Sequence, residues 1–169
     1  QVIVDGERGW VYPTPTAAQI AAFEAQIAED RALRERLLTA AQDEARTSDG
    51  RRVEVAANIG GVADAGSLLA RGAEGVGLFR TELLFMGRDS APSEDEQFEL
   101  YCAVGEALKG RPLIIRTLDV GGDKAISYIR IPREDNPFLG YRGIRYWLGD
   151  RPLARAQMRA ILRSSASHN

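Results

Sequence analysis

Two arginines stand where a parallel sheet would present them to a ligand. Arg80-Thr81-Glu82 closes a β-rich run over 75–80, and Arg116-Thr117-Leu118-Asp119 closes another over 112–118. Ligands of parallel α/β folds collect at the carboxyl ends of the strands. A guanidinium is planar, stays charged when desolvated, and holds phosphate or carboxylate by two parallel hydrogen bonds. Two Arg-Thr strand ends therefore ask for a small, multiply anionic ligand. The competing reading gives each arginine an acidic neighbour, Glu82 or Asp119, and makes both pairs structural. Gly121-Gly122-Asp123-Lys124, behind the second motif, reads as a turn. It lacks the Gly-Lys-Ser/Thr that opens a P-loop helix.

The elements that must position these residues follow from pattern. Residues 53–59 (VEVAANI) form a first strand closing at Asn58-Ile59 before Gly60-Gly61. A short helix is expected over 62–71, stopped by Gly72. Strand 75–80 comes next, then a helix from the cap Ser93, with Glu96 three residues on, to about Lys109. Strand 112–118 is the third. Strand–helix–strand–helix–strand with near-continuous apolar strands specifies a parallel α/β sheet. Two more helices are expected over 139–148 and 151–166, the second capped by Asp150 with Pro152 in its first turn.

Upstream, residues 2–4 and 10–12 flank the polar turn Asp5-Gly6-Glu7-Arg8-Gly9 as a small hairpin. Thr16 with Gln19 makes a capping box, and the chain then runs to about Arg46 without Gly or Pro. A helix of about 30 residues would span roughly 45 Å. That length suits a connector between domains. A coiled coil is the alternative, against which the spacing of Ile20, Phe23, Ile27, Leu33 and Leu37 keeps no strict heptad.

Composition narrows the function further. The 169 residues are 44% hydrophobic and 27% charged, as in globular domains. Lys+Arg 22 against Asp+Glu 24 leaves a net charge of -2, so no global basic field exists to hold nucleic acid or an anionic membrane. One cysteine, Cys102, excludes an internal disulfide framework and a multi-cysteine zinc site. On an amphipathic helix it reads as a small core residue. The single histidine, His168, argues against histidine metal clusters and Ser-His-Asp chemistry. Without a signal peptide the expected location is cytoplasmic. The chain opens without Met, in a strand, and reads as an excerpt of a longer protein.

Three segments carry a resemblance. GAEGVGLFRTELLFMGRDSAPSEDEQF (72–98), IIRTLDVGGDK (114–124) and NPFLGYRGIR (136–145) closely resemble enzyme I of the phosphoenolpyruvate-dependent sugar phosphotransferase system, a phosphoenolpyruvate-protein phosphotransferase. The resemblance implies that residues 1–14 are the tail of a swivelling phosphohistidine domain and 15–49 a linker helix. Residues 50–169 would be the first three β/α units of a (β/α)8 TIM-type barrel that binds phosphoenolpyruvate. It implies further that Arg80 and Arg116 bind phosphoenolpyruvate, with Arg142 a third basic residue at that rim and Asn58 lining the pocket. Mg2+ is the implied cofactor, a histidine-containing phosphocarrier protein the implied partner, and a homodimer the implied full-length assembly.

The family's accepting histidine sits in a Thr-Ser-His motif, which His168 does not match. Its metal-binding Glu and Asp, a further Arg and the acid Cys belong to the second half of the barrel. This segment alone is therefore expected to be inactive. Dikinase-type phosphoenolpyruvate-utilising enzymes share the Gly-x-Gly-x-x-Arg-Thr-Glu pattern, but not an expected RTLDVGGDK. A non-catalytic fragment that binds anions or mediates dimerisation is the alternative from another class. Three strands cannot close an eight-stranded barrel, so the third should present an open edge and a bare inner face, covered by more chain or by a second copy.

Overall fold

Asp5 shapes the first element. Its Oδ1 accepts the amides of Glu7 and Arg8, both at 3.1 Å, and Gly9 takes φ +70°, so the chain reverses between β1 (Ile3–Asp5) and β2 (Trp10–Tyr12). The strands pair antiparallel, Ile3 beside Tyr12 and Asp5 beside Trp10. In a computed structural model, residues 1–121 and 126–167 are described, so Gly122, Asp123, Lys124 and His168 lie outside the described residues. The chain divides into two units, Gln1–Asp43 and Glu44–Asn169. Among the described residues no helix is long and apolar enough to cross a membrane.

The first unit is completed by α1 (Ala17–Ala40), 24 residues begun by the expected Thr16/Gln19 capping box. It is shorter than the sequence pattern to Arg46 suggests. At its end Gln42 and Asp43 donate their amides to Thr39 and Ala40, three residues back, which tightens the last turn. Asp43 and Glu44 are also the wrong charge for a helix C-terminus, where the dipole is negative.

The second unit opens with a tight loop around Gly50, in which Val53 donates its amide to the Ala45 carbonyl and Thr47 to Arg51. The parallel sheet comprises β3 (Ala56–Ile59), β4 (Gly75–Arg80) and β5 (Leu113–Arg116), in the order β3-β4-β5. Strand β3 is shorter than the 53–59 expected. Val55 is tied to Glu74 instead, with its amide on Oε1 at 3.1 Å and its carbonyl accepting the Glu74 amide at 2.8 Å. Strand β5 stops at Arg116 because the Leu118 amide turns away to the side-chain oxygen of Gln157, at 2.7 Å.

Helix α2 (Val62–Leu68) ends in a 3-10 turn closed by Gly72 at φ +85°. The unforeseen α3 (Glu82–Phe85) is a single turn directly after β4. Helix α4 (Glu94–Leu108) carries the expected Ser93/Glu96 capping box. Helix α5 (Ile144–Gly149) begins five residues later than expected, because residues 136–143 form turns and Gly143 takes φ +53°. In α6 (Arg151–Ser167), Asp150 accepts the Leu153 amide at 3.3 Å.

Helices α2, α4 and α6 bury one face of the sheet. Ile59, Val76 and Phe79 meet Ala65, Leu68, Tyr101, Val104, Leu108 and Ala160. A second core gathers Phe85, Leu118, Val120, Tyr146, Trp147 and Leu153. On the opposite face Asn58, Arg80 and Ile114 are exposed, and β3 and β5 are both edge strands.

Candidate functional site

The register of the sheet brings the two arginines side by side. Arg80 of β4 and Arg116 of β5 are direct partners in the parallel pairing, one residue beyond the partners Phe79 and Ile115. Neighbouring strands lie about 4.8 Å apart and successive side chains alternate between faces. Phe79 and Ile115 turn to the helices, so the arginines share the face away from them. Asn58 of β3 pairs with Leu78, two residues before Arg80, and lies on that same face.

The arginines differ in what holds them. Arg116 pairs across strands with Glu82, the first residue of α3, whose side chain is 1% exposed while that of Arg116 is 34% exposed. The remaining carboxylate oxygen, Glu82 Oε2, and Arg116 Nε are buried without a hydrogen-bond partner among the described residues. Arg80 is exposed and forms no ion pair among the described residues. Asp119 takes neither strand-end arginine. It is held by Arg142, whose Nε and Nη2 donate to its two oxygens at 2.9 Å each. The structural-pair reading of the sequence thus applies to Arg116 and not to Arg80, and the acid it uses is the one beside Arg80 in sequence.

Arg142 is tied in this way to the segment three residues past Arg116. Its guanidinium lies over the Phe138 ring at 5.3 Å and against Gly121, where a Cβ would come within 3.2 Å of Nη1. Gly121 therefore gives the flat side chain its seat.

A buried polar cluster behind the strand ends was not anticipated. Thr81 Oγ1 donates to the Arg116 carbonyl at 2.8 Å, and Gln157 Nε2 donates to Thr81 Oγ1 at 3.2 Å and to the Tyr101 hydroxyl at 2.9 Å. Tyr101 donates to Gln97 Oε1 at 3.2 Å, and Gln97 Nε2 to the Pro92 carbonyl at 3.0 Å. Thr81, Gln97 and Gln157 are fully buried, and burial pushes the Tyr101 phenol up to about 12 despite the Gln157 hydrogen bond, which acts the other way. The signal for these residues was available. Gln97 shares the inward stripe of α4 with Tyr101, Val104 and Leu108, and Gln157 that of α6 with Leu153 and Ala160. A polar residue on such a stripe requires a partner.

This geometry defines a parallel α/β domain that carries two adjacent arginines, Arg80 and Arg116, at the carboxyl ends of neighbouring strands. Residues 34–169 match the family model described as PEP-utilising enzyme, PEP-binding domain, and the chain belongs to that family. It is 52% identical over 165 residues to the multiphosphoryl transfer protein of Rhodobacter capsulatus, covering 98% of this chain and 20% of that protein. It is 48% identical over 168 residues to the phosphoenolpyruvate-protein phosphotransferase of Haemophilus influenzae, covering 98% of this chain and 29% of that protein. The Geobacillus stearothermophilus phosphoenolpyruvate-protein phosphotransferase is 46% identical over 168 residues, covering 99% and 29%. The chain spans about a fifth to three tenths of the length of these curated relatives.

Proposed function

We propose that this chain is the part of a phosphoenolpyruvate-protein phosphotransferase, of the enzyme I type, that holds the phosphoryl donor. Arg80 and Arg116 bind phosphoenolpyruvate, Asn58 lines the pocket, and Arg142 is the third basic residue of that rim, paired there with Asp119. The observation that carries the reading is the pairing of Arg80 with Arg116 on one sheet face, within a chain 46–52% identical to such enzymes over nearly its whole length. Phosphoryl transfer needs its donor held in line and its developing charge neutralised, and two adjacent guanidiniums can do both.

In the full protein the donor's phosphoryl group would pass to a histidine outside this segment and then to a histidine-containing phosphocarrier protein. Residues 1–14 belong in this reading to a phosphohistidine domain, 15–49 to a linker, and 50–169 to the start of a (β/α)8 barrel whose missing strands cover the bare sheet face. A homodimer in the cytoplasm serving sugar uptake fits the same reading. Among the described residues no cluster of three or more acidic, His or Cys side chains could hold a metal ion. The reading assigns the Mg2+ ligands to other parts of the enzyme.

The test is phosphoenolpyruvate-dependent phosphorylation of the full-length enzyme. Arg80→Lys or Arg116→Lys keeps the charge and removes the fork, so turnover should collapse. Wild-type turnover in both variants would overturn the assignment. The 169-residue chain alone should release no pyruvate from phosphoenolpyruvate above a buffer control.

A further inference from the structure

Gln157 hydrogen-bonds to neither strand-end arginine side chain among the described residues, yet it is bonded to the backbone or side chain just behind each. Its Oε1 accepts the amide of Leu118, two residues after Arg116, at 2.7 Å. Its Nε2 donates to Thr81, the residue after Arg80, which in turn donates to the carbonyl of Arg116. The Leu118 amide can only donate, so it fixes which way the Gln157 amide faces. Both Nε2 hydrogens are then committed, one to Thr81 and one to Tyr101. Each hydroxyl, accepting from Gln157, must pass its own hydrogen onward, Thr81 to Arg116 and Tyr101 to Gln97. Every hydrogen bond in the chain has one direction, and the ladder between β4 and β5 ends where this chain takes over.

We propose that Gln157 is a positioning residue for the paired arginines, setting the relative height and angle of Arg80 and Arg116 through Thr81 and Leu118. The inference rests on the phosphoenolpyruvate reading above. A glutamate at this position would not serve. Its carboxylate accepts the Leu118 amide but cannot donate, so Thr81 turns toward it and releases the Arg116 carbonyl.

The test uses the full-length enzyme and compares Gln157→Met and Gln157→Glu with Val104→Ala, a truncation in the same core at an apolar side chain that takes no part in the hydrogen-bonded cluster. Variants are compared by kcat/KM for phosphoenolpyruvate and by thermal midpoint. Both Gln157 variants should lose at least tenfold in kcat/KM, while Val104→Ala, at a comparable fall in midpoint, should lose less than twofold. Thr81→Ser, which keeps the hydroxyl, should retain activity, and Thr81→Val should match Gln157→Met. The Thr81 pair decides the matter if Gln157→Met fails to fold. Equal losses in Gln157→Met and Val104→Ala, or equal activity of Thr81→Ser and Thr81→Val, overturn the inference and leave the phosphoenolpyruvate reading standing. A wild-type enzyme that consumes no phosphoenolpyruvate overturns both.

Discussion

Removing each strand-end arginine should separate binding from stability. Arg80 forms no ion pair among the described residues and is exposed, so Arg80→Ala should change unfolding by no more than about 0.5 kcal/mol, the usual range for a surface site. Arg116→Ala is different, because it strands Glu82, whose side chain is 1% exposed. Losing one partner of a fully buried pair costs about 3–5 kcal/mol. Arg116 is one-third exposed, so water screens the pair and reaches the gap left behind. A discounted cost of about 2 kcal/mol follows. For a unit of this size 1 kcal/mol moves Tm by about 4 °C, so Arg116→Ala should lower Tm by about 8 °C and Arg80→Ala by about 2 °C or less. Adding Glu82→Met to Arg116→Ala removes the stranded carboxylate and should restore part of the loss. Thermal unfolding by circular dichroism on the four proteins measures all of this. Equal Tm shifts for the two single variants, or a double variant less stable than Arg116→Ala, would refute the claim that Glu82 is committed to Arg116.

Two further outcomes follow from packing and burial. Tyr101 is pushed up to about 12 chiefly by burial, so its neutral form is favoured in the folded state. That contribution is complete below its unfolded pKa of about 10 and lost as pH rises through about 12. Absorbance at 295 nm should show this tyrosine ionising only with alkaline unfolding, and an early titration with the fold intact would contradict it. Gly75 begins β4 so close to β5 that a Cβ would lie 2.7 Å from the Pro112 carbonyl oxygen. Gly75→Ala should therefore destabilise by about 1–3 kcal/mol in urea unfolding, and an unchanged midpoint would show that the strands can separate at no cost.

Much of the second unit was legible because its signals are local. Ser93 and Glu96 announced α4, Gly72 ended α2, and the apolar run over 75–80 gave β4 at its observed limits. The strands flanking β4 were overestimated for one shared reason. Val55 and Leu118 carry strand-forming side chains, but their amides bond to Glu74 and Gln157, partners 19 and 39 residues away. No short-range pattern contains that information. The same holds for the end of α1 at Ala40, where propensity continues but charge and turn geometry stop the helix.

At the candidate site the competing reading, in which the strand-end arginines pair with Glu82 and Asp119, meets different partners in the structure. Glu82 follows Arg80 by two residues, and Asp119 follows Arg116 by three, so proximity along the chain suggests that each acid serves its neighbour. In a parallel pair, however, residues that share a face and a height come from different strands. Glu82, beginning α3 after β4, reaches across to Arg116, and Asp119, carried past the end of β5, reaches Arg142 on the turn before α5. The consequence is chemical. Arg80 forms no ion pair among the described residues, whereas Arg116 is already oriented by a buried carboxylate bonded to one end of its fork. Among the described residues the strand ends thus combine one arginine held in place by a carboxylate with one that no acid holds.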